Sequence, residues 1–151
     1  MKASVIKLNK IFLAFASVSL LFTACKKDED QPATANVMVT HASPNAPAVD
    51  LLVDNQKVNT APLSFPNSTG YLSVTAGTRS IKVNAAGTTT SVINANVTFD
   101  ANKNYSVFAC NTLTANTTVD ALVLEDNLAT PASGKAHVRV VHLSPDAPAV
   151  N

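Results

Sequence analysis

The chain has 151 residues, the length of one domain of ordinary size, with 5% aromatic and 14% charged residues and no Trp. Surface helices of a cytosolic enzyme need more Glu, Lys, Arg and Leu, so this composition favours a small secreted β-domain. Three of the eleven basic side chains (Lys2, Lys7 and Lys10) precede Cys25, and none of the ten acidic ones does. The remainder therefore carries eight basic and ten acidic side chains, a net charge of −2. Such a domain lacks the basic surface that binds nucleic acid, and we predict no nucleic-acid partner.

Residues 1–24 have the three parts of a secretory signal peptide. The basic residues come first, an uncharged apolar run follows at 11–22, and the small residues Thr23 and Ala24 stand before Cys25. The apolar run is 12 residues long, whereas a helix needs roughly 20 residues to cross about 30 Å of hydrocarbon. We therefore predict a cleaved signal peptide over residues 1–24 rather than a permanent transmembrane helix.

Cys25 and the residues before it resemble a bacterial lipoprotein signal. The sequence LFTAC, from Leu21 to Cys25, is similar to the lipobox, in which the cysteine thiol is acylated and becomes the new N-terminus. The resemblance implies lipidation at Cys25 and a membrane partner through an N-terminal lipid anchor. Two or more acyl chains anchor a protein stably, whereas one holds it only marginally.

A charged tether follows over residues 25–35, without an apolar period. Its first part is similar to the surface-export signal of Bacteroidetes lipoproteins, in which a Lys is followed by acidic residues. The residues concerned are Lys26, Lys27, Asp28, Glu29 and Asp30. The resemblance implies an outer-membrane lipoprotein exposed at the cell surface. The alternative is a solvated tether that only holds the domain off the membrane, with the domain on the periplasmic face.

Short β-rich segments separated by turn residues make up the rest of the chain. A turn at 54–56 predicts one hairpin, and Ala76-Gly77-Thr78, between 71–74 and 80–83, predicts a second and clearer one. The predicted strands are 37–39, 49–53, 57–58, 71–74, 80–83, 89–93, 97–99, 105–110, 121–124 and 138–141. Since no convincing amphipathic helix occurs, we predict an all-β fold, an immunoglobulin-like antiparallel β-sandwich over residues 36–151.

The predicted strand at 105–110 carries two informative residues. Tyr105 begins it just after a polar corner, which resembles the tyrosine corner of immunoglobulin-like sandwiches, whose hydroxyl bonds upstream backbone. Cys110 ends it, and acylation of Cys25 leaves Cys110 without a partner in the chain. We predict that Cys110 is a buried and inert thiol; a reactive thiol is the alternative.

A near-duplicate marks the two ends of the predicted domain. The first copy, residues 35–50, reads ANVMVTHASPNAPAVD, and the second copy, residues 136–151, reads AHVRVVHLSPDAPAVN. A spacing of 101 residues, from Ala35 to Ala136, is on the scale of a domain rather than of a solenoid repeat. Either the second copy begins a truncated second repeat or its strand closes the first domain.

This duplicated motif resembles the DUF4397 family of bacterial envelope and secreted proteins. Val-x-Val-x-His-x-Ser-Pro-x-Ala-Pro carries the resemblance, together with GYLSVTAG at 70–77 and NYSV at 104–107. It covers about Ala35 to the C-terminus and implies a β-sandwich, but the family offers no activity to carry over.

The motif itself suggests three kinds of chemistry. Its recurring polar and proline residues are His41, Ser43, Pro44 and Pro47 in the first copy and His142, Ser144, Pro145 and Pro148 in the second. Ser-Pro-Asn-Ala-Pro is turn chemistry, so we expect a structural turn with His41 hydrogen-bonded to it. A hydrolase that uses the histidine and serine, or a metal site that uses His41, His142 and Asp50, is the alternative, although neither an oxyanion hole nor a ligand spacing supports it.

We therefore predict a non-enzymatic envelope or cell-surface module for adhesion, assembly, or glycan or protein binding. We expect no cofactor and no metal. The alternative function is an envelope hydrolase or metal-dependent enzyme that uses His41 or His142.

Overall fold

A computed structural model describes residues 31–112 and 118–148. Within them, eight strands form two four-stranded sheets, and no residue is helical. The strands are β1 Thr34–His41, β2 Val49–Val53, β3 Gln56–Lys57, β4 Leu72–Thr75, β5 Gly77–Ala85, β6 Ser91–Phe99, β7 Asn104–Cys110 and β8 Asp120–Glu125. The predicted all-β sandwich is confirmed.

The predicted signal peptide, the lipidation site Cys25 and the export signal at 26–30 lie outside the described residues. They stay predictions. In the part of the chain that the structure describes, no helix is long and apolar enough to cross a bilayer.

The two sheets differ in their pairing. Sheet A has the order β4-β1-β7-β8, and sheet B has the order β3-β2-β5-β6. Every pairing is antiparallel except that of β1 with β7, which run parallel from Asn36 opposite Asn104 to His41 opposite Ala109. The sandwich is therefore not purely antiparallel, because β1 lies beside β7 and the two strands run in the same direction.

Alternate residues of the strands form the core between the sheets, as the two-residue period of a strand requires. On β1, Ala35, Val37 and His41 are buried, while Asn36 on the opposite face is exposed. One core cluster contains Ala35, Val37, Val74, Phe99 and Tyr105, and the other contains Val49, Leu51, Leu63 and Val83. The first copy of the repeat thus supplies the central inward-facing side chains of sheet A.

Tyr105 occupies the predicted corner. Its ring is buried edge-on against Phe99, with ring centroids 5.3 Å apart. The backbone N–H of Asp100 donates to its hydroxyl at 3.1 Å. The predicted bond between this hydroxyl and upstream backbone is present, so Tyr105 ties the turn after β6 to the start of β7.

The first predicted hairpin is also present. β2 and β3 pair across Asp54 and Asn55, whose φ angles are 49° and 66°. Two successive residues with positive φ are the geometry of a type I′ turn, which Asp and Asn tolerate better than most residues.

The second predicted hairpin, across Gly77, is wrong. β4 pairs with β1 in sheet A, while β5 pairs with β2 and β6 in sheet B. Only Ala76 separates the two strands, which is too short for a two-residue hairpin turn. Gly77, at φ +100°, instead turns the chain from one sheet to the other, and Arg79 donates to the carbonyls of Thr75 and Ala76 at that corner.

The predicted last strand, 138–141, is wrong as well. These residues are described and belong to no strand. Among the described residues, the backbone groups of 136–148 make no hydrogen bond to either sheet. A strand needs a neighbour to satisfy its backbone, and residues 136–148 pair with neither edge strand of sheet A, β4 or β8. The second copy therefore does not close the sandwich.

Candidate functional site

His41, the histidine of the first copy, is the last residue of β1. Its side chain faces the core and is 1% exposed. Its Nε2 lies 3.0 Å from the carbonyl oxygen of Pro47, and the N–H of Ser43 donates to its Nδ1 at 3.4 Å. Because Nδ1 accepts a hydrogen bond, these partners assign the proton to Nε2, which donates to Pro47. Both ring nitrogens of His41 are thus used to hold the turn between β1 and β2.

The tip of this turn is exposed, whereas Ser43 at its base is buried. Pro44 and Pro47 are exposed, and residues 44–45 form its tip. Ser43 is fully buried, and its Oγ has no hydrogen-bond partner among the described residues. The serine hydroxyl therefore has no base beside it, since His41 receives the backbone N–H of Ser43 and not its hydroxyl.

Asp50 begins the strand on the other side of this turn and does not meet His41 in any hydrogen bond of the described residues. The Lys57 ammonium lies 2.7 Å from its Oδ1, and the N–H of Gly87 donates to its Oδ2 at 3.0 Å. The hydrogen bond from Lys57, followed by that from Gly87, holds the pKa of the Asp50 carboxyl below its ordinary range. Asp50 is therefore an anionic link between β2, β3 and the β5–β6 turn.

The second copy has the opposite environment. His142, Ser144, Pro145 and Pro148 are all exposed, whereas His41 and Ser43 are buried. The same motif thus forms core in one place and surface in the other, and among the described residues no hydrogen bond or ion pair joins His142 to His41 or Asp50.

Most of the chain matches the model of a known protein family. Residues 35–151 match the model of DUF4397, a family described as a domain of unknown function. The chain belongs to the DUF4397 family. No curated protein matches it.

A polar cluster on the outer face of sheet A was not predicted from the sequence. In this DUF4397 domain, Asp126 accepts hydrogen bonds from Tyr71 at 2.9 Å and from Ser106 at 2.7 Å on the same oxygen. Arg139 forms a salt bridge with the other oxygen and also donates to the carbonyl of Glu125. Burial, followed by the hydrogen bond and the charge of Asp126, raises the pKa of Tyr71. The four residues come from distant parts of the chain, so only the fold brings them together.

An open groove of about 810 Å³ runs beside this cluster. Residues 136–141 form one wall, and sheet A, with Phe108 at its floor, forms the other. Tyr71 and Leu128 present exposed apolar surface here, and His137 adds an exposed imidazole. The groove combines aromatic, amide and charged groups, and the charges of Asp126 and Arg139 compensate each other.

Cys110 ends β7 on the outer face of sheet A and is half-buried rather than fully buried as predicted. Desolvation, followed by the charge of Asp120, raises the pKa of its thiol. A raised pKa keeps the thiol protonated and poorly nucleophilic near neutral pH, which agrees with the predicted inert role.

The described residues of the DUF4397 domain contain no group of three His, Cys, Asp or Glu side chains close enough to hold a metal ion. Of the proposed ligands, Asp50 is engaged by Lys57, and His41 is engaged by backbone on both ring nitrogens. His41 can bind a metal only by giving up one of the hydrogen bonds with which it holds the turn.

Proposed function

We propose that this protein is an outer-membrane lipoprotein, acylated at Cys25 and displayed at the cell surface, whose DUF4397 domain is a non-enzymatic binding module. The domain holds a ligand, either a glycan or a protein, away from the membrane on the tether at 25–35. The observation that carries the non-enzymatic part is the environment of His41.

A general base needs a free ring nitrogen within reach of a substrate or nucleophile. Both nitrogens of His41 are bonded to backbone, its side chain is almost completely buried, and its neighbour Ser43 is sealed from solvent. His142 is exposed but, within residues 118–148, has no carboxylate in an ion pair with it. Neither copy therefore supplies the paired groups that the hydrolase alternative requires.

The groove beside Asp126 is the surface that best fits a ligand. It is concave and open, and it pairs exposed aromatic and aliphatic surface at Tyr71 and Leu128 with hydrogen-bonding groups at His137 and Arg139. Such a mixture suits a polar, uncharged ligand, because a sugar or an extended peptide offers both apolar faces and hydroxyl or amide groups.

Metabolic labelling with a fatty acid tests the anchor. We expect the wild-type chain to be labelled and Cys25→Ala to be unlabelled. Cys110→Ala is the matched control, since it removes the other cysteine and should leave labelling intact. Labelling of Cys25→Ala would refute acylation at this residue.

Protease treatment of intact cells tests the exposure. We expect the wild-type domain to be degraded, and a variant with residues 26–30 replaced by neutral polar residues to be protected while still acylated. Equal degradation of the two proteins would show that this stretch is only a tether.

A glycan and matrix-protein array probed with the full-length chain tests the binding. We expect selective binding that Tyr71→Ala weakens at least about tenfold, which corresponds to about 1.4 kcal/mol. His137→Ala probes the same groove, and His142→Ala, outside it, is the control. Binding that survives Tyr71→Ala and His137→Ala would place the ligand elsewhere, and no binding at all would refute the binding module.

A further inference from the structure

The outermost strand of sheet B, β6, has one free side. Among the described strands it pairs with β5 alone, and residues 94–96 in its middle are exposed. Short length, charged side chains or prolines protect most edge strands, because an unpaired edge accepts a further strand. β6 has nine residues, and no charged residue or proline occurs between Lys82 and Asp100. This edge therefore carries none of these three protections.

The other three edges of the described sheets are protected. β3 has two residues, one of which is Lys57, and β4 has four residues. β8 has an acidic residue at each end, Asp120 and Glu125. Within the part of the chain that the structure describes, β6 is thus the one long and uncharged edge.

The core of the sandwich is open along the same edge. The side chains of β6 that face sheet A line a cavity of about 50 Å³, whose walls are formed entirely by apolar side chains. Ala95 of β6 and Ala121 of β8 line this cavity and are nevertheless exposed. At the opposite edge, Leu63 is buried and exchanges two backbone hydrogen bonds with Val49. The described residues therefore close one edge of the core and leave the other open.

The strand pairing shows which backbone groups of β6 point to its free side. The N–H of Asp54 donates to the carbonyl of Ser80 at 2.8 Å, so Ser80 on β5 bonds away from β6. Successive residues of a strand direct their backbone groups to opposite sides, so the next residue of β5 bonds to Ala95, its partner on β6. The N–H and C=O groups of Asn94 and Asn96 therefore point to the free side.

The sequence of β6 is close to symmetric about Ala95, since residues 92–98 read VINANVT. A second β6 strand, antiparallel and centred on Ala95, places Asn94 opposite Asn96 and Ile93 opposite Val97. The paired asparagines are the residues with free backbone groups, so each pair exchanges its hydrogen bonds. Ile93 and Val97 line the cavity, so their pairs form apolar cross-strand contacts on the inner face.

We propose that β6 is a dimerisation edge, and that its partner is the β6 strand of a second copy of this chain, antiparallel about a two-fold axis at Ala95. The two copies of sheet B join into one continuous sheet, and each copy covers the open edge of the other. A two-fold dimer uses the same surface twice, so that surface must be complementary to itself. The symmetry about Ala95 meets this requirement, whereas an extended segment of another protein would not need it. The groove beside Asp126 lies on sheet A and uses no residue of β6.

Disulfide cross-linking tests the pairing in the full-length chain, purified in a mild detergent, with Cys25→Ser and Cys110→Ala. We expect Ala95→Cys to give a disulfide-linked dimer in air. Directly opposite residues that do not exchange hydrogen bonds have Cα atoms about 4.5 Å apart, which a disulfide can span. Asn94→Cys tests the register, because its two copies lie two positions apart and out of disulfide reach. Ala101→Cys, exposed in the turn after β6, is the control for random collision.

Each possible result of the cross-linking decides the question. Selective linking of Ala95→Cys supports the dimer. Absence of linking at Ala95→Cys overturns it, as expected if the edge pairs only with a segment of another protein. Linking of Asn94→Cys or Ala101→Cys to the same extent as Ala95→Cys also overturns the two-fold pairing at Ala95.

A charge exchange tests the same axis without cysteine. In sedimentation of the Cys25→Ser chain in mild detergent, we expect a dimer. Ala95→Lys places two like charges opposite each other and should weaken the dimer at least about fivefold. Ala95→Asp should do the same, and an equal mixture of the two variants should restore the dimer. Ala101→Lys is the matched control and should leave the dimer unchanged.

Circular dichroism of each variant verifies that the sandwich stays folded, as expected for substitutions at an exposed alanine. A monomeric Cys25→Ser chain would overturn the proposal. So would Ala95→Lys and Ala95→Asp proteins that each dimerise as strongly as the unsubstituted chain, or a mixture of the two that stays monomeric.

Discussion

The two histidines of the repeat provide a test of the reasoning within one molecule. Replacement of His41 by Ala removes a buried ring that accepts from the N–H of Ser43 and donates to the carbonyl of Pro47. Replacement of His142 by Ala removes an exposed ring at the equivalent position of the second copy. The substitution is the same and both rings precede a Ser-Pro turn motif, so the difference in stability reports mainly on the burial and hydrogen bonds of His41.

The expected magnitude follows from the contacts. Each lost backbone hydrogen bond costs about 1 kcal/mol. Loss of the edge-on contact with Phe65, whose centroid is 6.5 Å from that of His41, costs about 1 kcal/mol. His41→Ala should therefore lower the free energy of unfolding by about 3 kcal/mol. For a sandwich of roughly 100 residues, the entropy of unfolding is about 0.2 kcal/mol/K, so the melting temperature should fall by about 15 °C.

Thermal and urea unfolding, followed by circular dichroism, measure the difference. His142→Ala should change the free energy of unfolding by less than about 0.5 kcal/mol, as expected for an exposed side chain. If His41→Ala and His142→Ala were equally mild, His41 would not hold the turn. The assignment of its two hydrogen bonds would then be wrong.

Four further predictions concern single sites. Ser43→Ala should leave the free energy of unfolding unchanged or raise it by up to about 1 kcal/mol, because it removes a buried hydroxyl without a partner; a loss beyond that, in urea unfolding, would mean that the hydroxyl is bonded. Folding lowers the pKa of the Asp50 carboxyl. The carboxylate therefore contributes fully to the free energy of unfolding above its unfolded-state pKa of about 3.9, and this contribution is lost as the pH falls through the lower folded-state value. Between about pH 5 and pH 2, the urea midpoint of Asp50→Asn should therefore decrease less than that of the wild type. An equal decrease in the two proteins would contradict this. Gly77→Ala should destabilise by about 1–2 kcal/mol, since its φ of +100° is strained for an L side chain; a neutral result in thermal unfolding would show that the corner adapts. In a Cys25→Ser background, burial of Cys110 should make its reaction with a disulfide reagent at least about tenfold slower in the folded protein than in urea, and equal rates would place the thiol in solvent.

Local patterns in this sequence predict strands well and their partners poorly. Three features are present as predicted, because each depends on sequence neighbours or on one short contact. They are the alternating strand at 35–41, the Asp54-Asn55 turn and the corner at Tyr105. The corner at Gly77 looks like a hairpin because Gly favours both structures. The residues before Gly77 pair in sheet A and the residues after it pair in sheet B, and this pairing makes the turn a corner between the sheets.

The second copy shows the same limit more sharply. Residues 138–141 have the alternation of a strand, but a strand exists only where another strand accepts its backbone bonds. Pattern alone does not reveal that the neighbour is missing. The cluster of Tyr71, Ser106, Asp126 and Arg139 had no sequence signal either, because its members are up to 68 positions apart and no motif links them.

The parallel pairing of β1 with β7 has a mechanical consequence. The tether leads directly into β1 at Thr34, and β1 is an interior strand bonded to β4 on one side and to β7 on the other. A pull on Thr34 along this strand, against a load at the opposite end of the sheet, strains both rows of backbone bonds at once instead of opening them one after another. A domain that is held by its first residues under flow would therefore lose β1, the strand by which it is attached, last.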